Sequence, residues 1–245
     1  MKFIGKILSL FWKVYLILNF FITLIAIYPL LWYFLKDERR FKYAFNLTRL
    51  WSNFLIYTCG LRYKVVLNHP LPDPPYIICA NHTSYLDIVL TYCVFPDYFV
   101  FVGKQELSKV PLFNIYFKKM NVLVDRKSRI GSHKAFVHLA NHLDQGHSVA
   151  IFPEGTISKV APRLSSFKNG PFKLAIDKKT MLVPVTFLNN WNVLGSGSVF
   201  HAKGGPGKST IIVDRPINTA GMNDEDLKQQ VQQIIENNIE NYLKK

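Results

Sequence analysis

Apolar positions crowd the start of the chain. Residues 14–35 are 22 positions without a charge, bracketed by Lys13 and Lys36. At ~1.5 Å per residue a helix of this length crosses a hydrocarbon core of ~30 Å. Pro29 predicts a kink, and Trp32 and Tyr33 suit the lipid–water boundary. A cleaved leader does not fit, because the bulky, charged exit Tyr33-Phe34-Leu35-Lys36 offers no small-residue cleavage site. A second helical pattern covers residues 41–58 and stops at Gly60. It sets Lys42 and Arg49 among Phe41, Phe45, Leu47, Trp51, Phe54 and Leu55, with Arg39 and Arg40 just ahead. This reads as an interfacial helix. The first segment then spans the membrane, or pairs with the second and dips into one leaflet.

From residue 61 the period changes. Leu61, Tyr63 and Val65 alternate with Arg62 and Lys64, which predicts a strand over residues 61–67. A proline-rich loop, 68–75, precedes a short apolar run at 76–80 that reads as a buried strand, and a helix follows to about Phe95. Further strands are predicted at 98–102, 121–126, 147–152, 182–185 and 209–213. Helices are predicted at 107–118, 132–144 and 171–178. A last helix is capped by Asn223, with Asp224, Glu225 and Asp226 in its first turn and Leu227, Val231, Ile234, Ile235 and Ile239 on its apolar face. Alternation on this scale predicts an α/β fold: a mixed, mostly parallel sheet with helices on its faces, preceded by an N-terminal membrane-anchoring helical segment. The expected division is 1–60 for the anchoring helices and 61–245 for the α/β domain.

Charge narrows the partners. The 245 residues include 30 Lys or Arg against 16 Asp or Glu, a net +14, and 14% are aromatic. Such a surface seeks anionic lipid, phosphate esters or nucleic acid. No RNP-type, zinc-finger or helix-turn-helix signature is present, so nucleic acid is not the expected partner. Cys59, Cys79 and Cys93 have no metal or redox spacing; Cys79 and Cys93 fit core thiols in a reducing compartment.

The chemistry concentrates in Asn81-His82-Thr83-Ser84-Tyr85-Leu86-Asp87. His82 falls in the turn between a buried strand and a helix, where open α/β sheets place their ligands. Asp87, five residues on, can return its carboxylate to the imidazole, fixing the tautomer and stabilising the imidazolium while the other nitrogen takes a proton. A capped surface turn is the bland alternative for a lone His-x4-Asp. Three further stretches change that balance: Asn121-Val122-Leu123-Val124-Asp125-Arg126, Ile151-Phe152-Pro153-Glu154-Gly155-Thr156 and Leu182-Val183-Pro184-Val185.

With these four blocks in this order, the chain resembles the glycerolipid acyltransferases, in particular those acting on 1-acylglycerol-3-phosphate (lysophosphatidic acid). The resemblance covers about residues 76–185. It departs at Met120, where the family often has Gly, and at Ile157, where it often has Arg; Arg163 or Lys168 can supply that charge. The resemblance implies transfer of a fatty acyl group from a thioester, acyl-CoA or acyl carrier protein, to the sn-2 hydroxyl of 1-acylglycerol-3-phosphate, giving phosphatidic acid for phospholipid synthesis. Another lysolipid acceptor, such as a lyso-aminolipid, and thioester hydrolysis are the alternatives. His82 is then the general base and Asp87 its orienting partner, with direct attack on the thioester. An acyl-enzyme on Ser84 is the other route, although no Gly-x-Ser-x-Gly elbow is present. Candidate substrate-binding groups are Lys104 as a point charge, Arg126 as a planar fork, Glu154, the Gly155 amide and the Thr156 hydroxyl. No metal or cofactor is implied beyond the donor. The implied partners are membrane phospholipids, lysophosphatidic acid and the acyl donor, at the cell membrane with the active site on the cytoplasmic face.

Two other patterns are weaker. Residues 202–209 approximate a phosphate-binding loop but run into a strand-like Thr210-Ile211-Ile212-Val213, whereas that loop requires a following helix. His138 and His142 stand at i and i+4 without an evident third ligand.

Overall fold

The computed structural model describes residues 2–109, 112, 114–125, 128–197 and 202–244. Helix α1 (Lys2–Phe34) absorbs the apolar N-terminal block and continues through Pro29. Its Ile4–Phe34 portion is long and apolar enough to cross a membrane, and little of it is buried in the protein. A 3₁₀ turn at Glu38–Arg40 leads into α2 (Phe41–Thr58), whose bounds match the sequence pattern. The two helices run antiparallel and are joined by polar contacts. Trp12 Nε1 donates to the Cys59 carbonyl (2.9 Å), Asn19 Nδ2 to Thr58 Oγ1 (2.9 Å) and Trp51 Nε1 to Thr23 Oγ1 (2.8 Å).

Helix α2 has two apolar faces. Ala44, Phe45, Thr48, Trp51, Ser52, Leu55 and Ile56 form a buried stripe at helical spacing. Tyr43, Leu50, Phe54 and Tyr57 are exposed. The purely interfacial reading is thus corrected: Phe45, Trp51 and Leu55 turn into the core against α3 (Leu86–Val94). Arg49 moves with them, donating from Nε to the Tyr92 carbonyl of α3 at 3.2 Å rather than meeting headgroups. At the end of α1, the Lys36 ammonium lies 3.4 Å from the Trp32 ring centroid and the Arg40 guanidinium 4.5 Å from that of Tyr33. Such cation–aromatic pairs suit the boundary between headgroups and acyl chains. The opposite part of α1 is tied to the body by Lys13, whose ammonium donates to the Ala202 carbonyl. A Cβ at Gly204 would collide with the Lys13 side chain.

The sheet has seven strands: β1 (Leu61–Leu67), β2 (Ile77–Ala80), β3 (Phe99–Lys104), β4 (Val122–Val124), β5 (Ser148–Ile151), β6 (Leu182–Phe187) and β7 (Gly207–Val213). Their spatial order is β1-β7-β6-β2-β5-β3-β4, and every neighbouring pair is parallel except β6–β7. The central β2, β5 and β6 are buried at every position, as helices on both faces require. Because β2 and β5 are parallel neighbours, their C-terminal ends emerge side by side. The segments that follow them, 81–85 and 152–156, therefore meet at one edge of the sheet.

Four more helices, α4 (Asn114–Lys119), α5 (Arg129–Asp144), α6 (Gly170–Asp177) and α7 (Asn190–Val193), precede the C-terminal α8 (Asp224–Leu243). The single helix expected over 107–118 is instead a 3₁₀ turn at Gln105–Lys109 and the short α4. Pro111 has no N–H to donate and disfavours helix before it, and Leu112 has a φ of 63°. Helix α5 begins earlier than expected because the Ser128 hydroxyl accepts from the Gly131 N–H at 3.1 Å. Asn223 caps α8 by accepting from the Asp226 N–H at 2.8 Å. Leu227, Val231, Ile235 and Ile239 are buried there, while Ile234 lies half-buried on the flank. The glycine-rich run at 202–209 leads into β7, a strand.

His142 faces His147 rather than His138, with the two Nδ1 atoms 3.2 Å apart. Burial, reinforced by His147 and His138, pushes the His142 imidazole down to about 4. An unfolded histidine titrates near ~6.5, so the unfolded chain takes up a proton first. The stability held at neutral pH is therefore expected to fall as pH drops from about 6.5 towards 4. Thermal unfolding in detergent should show Tm falling over that window, and His142→Gln should flatten the fall. Superimposable Tm–pH curves for the two proteins would remove His142 as its source.

Candidate active site

Strand β2 hands its end to Asn81. The Asn81 Oδ1 accepts from the Phe187 N–H at 2.7 Å and its Nδ2 donates to the Phe187 carbonyl at 3.1 Å. A side chain thus continues the β2–β6 ladder by one more rung and sets where the chain turns. His82 follows, and its Nδ1 lies 2.9 Å from Asp87 Oδ2. The same oxygen accepts from the Thr83 N–H (2.6 Å) and the Ser84 N–H (2.8 Å), while Oδ1 accepts from Asn190 Nδ2 (2.7 Å). Asp87 is wholly buried in the first turn of α3.

An acceptor oxygen opposite Nδ1 puts the ring proton on Nδ1 and leaves the lone pair on Nε2. Nε2 forms no hydrogen bond with a described residue, and 10% of the His82 side chain remains exposed. Phe152 holds the ring plane, stacked on it with centroids 4.0 Å apart and planes 12° off parallel. Phe152 stacks in turn on Phe101, at 5.8 Å and 20°. The arrangement can take a proton from a group brought to Nε2 while the carboxylate steadies the resulting cation.

The backbone of His82 is held as firmly. Its N–H donates to Glu154 Oε1 (2.8 Å) and its carbonyl accepts from the Ser158 N–H (2.7 Å). Glu154 Oε2 accepts from the Ser165 N–H at 2.9 Å. Glu154, expected at the substrate, is 4% exposed and spends both oxygens on backbone amides. Its role in the fold is to tie the first block to the third. Burial raises its carboxyl above the ordinary range, against the pull of the amides of His82 and Ser165. Glu154→Gln would place an NH₂ opposite one of those N–H groups. The expected result is a loss of about 1–3 kcal/mol in stability with reduced activity, read by thermal unfolding and initial rate. An unchanged Tm would show that the two amide contacts carry no net stabilisation.

The other expected site residues lie around this centre. Gly155 adopts φ 74°, and the Lys168 side chain passes across it; a Cβ there would come within 3.0 Å of Lys168 Cε. Thr156 is exposed on the same segment. Lys104 stands at the end of β3, with its ammonium 3.0 Å from Glu106 Oε1 and about half of its side chain exposed. Arg126 lies outside the described residues. Ser84 does not join His82: its hydroxyl donates to the Leu194 carbonyl (2.6 Å), accepts from the Leu86 N–H (3.1 Å) and is inaccessible. A Ser-His-Asp relay is therefore not assembled.

Asn190 and the stacking role of Phe152 escaped the sequence reading. Asn190 sits on a helix too short for any period, 103 residues from its partner Asp87. The ring of Phe152 could have been suspected from its place directly before Pro153-Glu154.

Residues 62–188, more than half of the chain, match the acyltransferase family. The chain belongs to that family. Among similar proteins, a 1-acyl-sn-glycerol-3-phosphate acyltransferase of Chlamydomonas reinhardtii is 29% identical over 219 residues, covering 87% of this chain and 63% of that protein. The chloroplastic enzyme of the same name from Arabidopsis thaliana is 32% identical over 172 residues, covering 67% and 46%. That of Borreliella burgdorferi is 28% identical over 161 residues, covering 65% and 64%. The aligned part thus spans from under half to just under two thirds of these relatives' lengths. The acyltransferase shares its fold with the crystal structure of the 1-acyl-sn-glycerophosphate (LPA) acyltransferase from Thermotoga maritima. The TM-score is 0.81 at 23% identity, with 98% of both chains covered.

Proposed function

We propose that this acyltransferase moves a fatty acyl group from acyl-CoA or acyl carrier protein to the sn-2 hydroxyl of 1-acylglycerol-3-phosphate, giving phosphatidic acid. The observation that carries the reading is the His82–Asp87 pair, with Nδ1 engaged at 2.9 Å and Nε2 unengaged among the described residues. The names of the relatives supply the acceptor.

Nε2 removes the proton from the acceptor hydroxyl as its oxygen attacks the thioester carbonyl. The tetrahedral intermediate collapses with cleavage of the C–S bond, and the imidazolium returns its proton to the departing thiolate. Asp87 stabilises the imidazolium between these steps. No covalent enzyme intermediate is involved, consistent with a Ser84 hydroxyl committed to the Leu194 carbonyl. For the acceptor phosphate, Thr156 and Lys168 on the segment after β5 and Lys104 at the end of β3 are the candidate groups, and Arg126 is the arginine that follows Asp125. The Gly155 N–H is already donated to the Phe152 carbonyl at 3.0 Å. Purified full-length protein, offered both donors with 1-acylglycerol-3-phosphate and with a lyso-aminolipid, should form phosphatidic acid. Free fatty acid as the sole product would overturn the transferase reading, and acylation of the lyso-aminolipid alone would overturn the acceptor.

The acceptor and product are lipids, so the site works at a bilayer, reached from the cytoplasmic side where thioester donors are made. Each surface cation contributes about 1 kcal/mol of membrane attraction, far less than an apolar run the length of α1. Washing membranes with high salt is expected to leave the chain in place, and detergent to release it. Release by salt alone would reduce the attachment to electrostatics. Deleting residues 1–60 is a poorer test, because it also uncovers the core surface that Phe45, Trp51 and Leu55 cover.

A further inference from the structure

A cavity of about 840 Å³ lies at the opposite edge of the sheet from β1. Its walls are β4, one face of α5 and the Glu38–Lys42 region that follows α1. In the sheet order β4 is three strands from β2, or ~14 Å at the usual strand spacing. His82, Asp87 and Glu154 do not line the cavity.

Its charge is one-sided. Lys42, Lys119 and Lys134 line it, and none forms an ion pair with a described residue. Arg39 joins them, although its guanidinium is already shared with Asp37 at 2.8 Å. Only two carboxylates among the lining residues oppose these, Glu38 and Asp125. The imidazoles of His138, His142 and His147 also line it, with the side-chain amides of Gln105, Asn121, Asn141 and Gln145. Burial pushes His142 and His147 towards the neutral form, and Lys42 adds to that effect at His147. A positive potential of this kind is what an anion would relieve.

An independent observation points the same way. Tyr98 borders the cavity, is 8% exposed, and its hydroxyl is buried without a hydrogen-bond partner among the described residues. Buried hydroxyls are rarely left unpaired in folded proteins. Its ring packs edge-on against His147 at 4.8 Å, and Glu38, another lining residue, adds to burial in keeping the phenol protonated and able to donate.

We propose that this cavity is a second site, separate from the catalytic centre, that binds the phosphate of a phosphate ester. Lysine ammonium groups serve as point charges for phosphate oxygens and the Tyr98 hydroxyl as a neutral donor. The rim places one source closest. Glu38 and Lys42 follow directly on the end of α1, where Trp32 and Tyr33 are exposed and carry Lys36 and Arg40 on their faces. The cavity therefore opens at headgroup level, and an anionic phospholipid headgroup can enter it from the membrane. A soluble phosphate ester, such as the nucleotide part of coenzyme A, presents the same chemistry from the other side.

The test is calorimetric titration of full-length protein in neutral detergent micelles. The two probes are dihexanoyl phosphatidylglycerol and coenzyme A. The wild type should bind at least one probe saturably. The triple variant K42Q/K119Q/K134Q should bind it at least tenfold more weakly, Tyr98→Phe a few-fold more weakly, and His82→Ala as tightly as the wild type. All three lysines are exposed, and Tyr98→Phe removes only a hydroxyl that has no partner among the described residues, so the variants are expected to fold. Saturable binding of the lipid probe alone assigns the site to a membrane headgroup, and of coenzyme A alone to a soluble ester. Equal affinities of the wild type and the triple variant for both probes overturn the proposal, as does loss of binding in His82→Ala or the absence of saturable binding to either probe.

Discussion

Replacing His82 by alanine is expected to lower turnover by ~10²–10⁴-fold or more, the usual worth of a positioned general base, with little change in fold. The small structural effect follows from how the residue is held. Its N–H would still donate to Glu154 and its carbonyl would still accept from Ser158, since both contacts belong to the backbone. Asp87 would keep the amides of Thr83 and Ser84 and the Asn190 side chain. What disappears is the only group in the dyad able to accept a proton at Nε2, together with one face of the Phe152 stack. Initial rates with 1-acylglycerol-3-phosphate and acyl-CoA, beside a thermal unfolding curve, separate the two effects. Turnover within a few-fold of wild type would remove His82 as the base.

Asp87→Asn is expected to be nearly as damaging to rate, towards the ~10²–10⁴-fold worth of a working general base, and it should fold. Oδ2 receives three donors, from His82, Thr83 and Ser84. An amide NH₂ cannot sit there, so the asparagine must keep its oxygen on that side and turn its nitrogen towards Asn190. Asn190 can answer by flipping, because its own Oδ1 is buried and unpaired and would then accept. The hydrogen bonds survive and the negative charge does not. The rate falls because nothing then stabilises the imidazolium, and not because the ring takes the wrong tautomer. Asp87→Ala should differ in kind, leaving several buried donors without an acceptor at ~1–3 kcal/mol each. Near-normal turnover in Asp87→Asn would show that the charge is dispensable; a failure of Asp87→Asn to fold would show that Asn190 cannot flip.

Much of the architecture could be read from the chain, for reasons that also explain the misses. Residues 41–58 and 61–67 were bounded correctly because Gly60, at φ 67°, separates a helical period from an alternating one. The central strands stood out as uninterrupted apolar runs. Periodicity reports which faces are apolar and not what covers them, so α2 read as interfacial although one of its stripes meets α3. The 3₁₀ turn that ends at Lys109 and the φ of 63° at Leu112 interrupt residues 107–118, which the apolar pattern does not report. At the site, His82 and Asp87 were legible because they are five residues apart. Asn190, Phe152 and the amides of Ser158 and Ser165 were not, because their contacts join segments brought together only by the sheet. The inward turn of Glu154 was hidden for the same reason: its partners are main-chain groups, which every sequence has.

The dominance of main-chain partners has a consequence for how freely this site can drift. Asn81 grips the amide and carbonyl of Phe187, Glu154 the amides of His82 and Ser165, and Asp87 those of Thr83 and Ser84, while the amide of Ser158 grips the His82 carbonyl. Thr83 is gripped through its N–H, its buried hydroxyl having no partner among the described residues, so a residue of similar size there leaves the imidazole seated. Ser158 and Ser165, by contrast, add hydroxyl contacts to the Arg163 carbonyl and to each other. Proline alone is barred from all three positions, since it has no N–H to give. The catalytic loop thus answers first to the backbone path of its neighbours, with Phe152 and Asn190 as the neighbouring side chains whose identity it still feels.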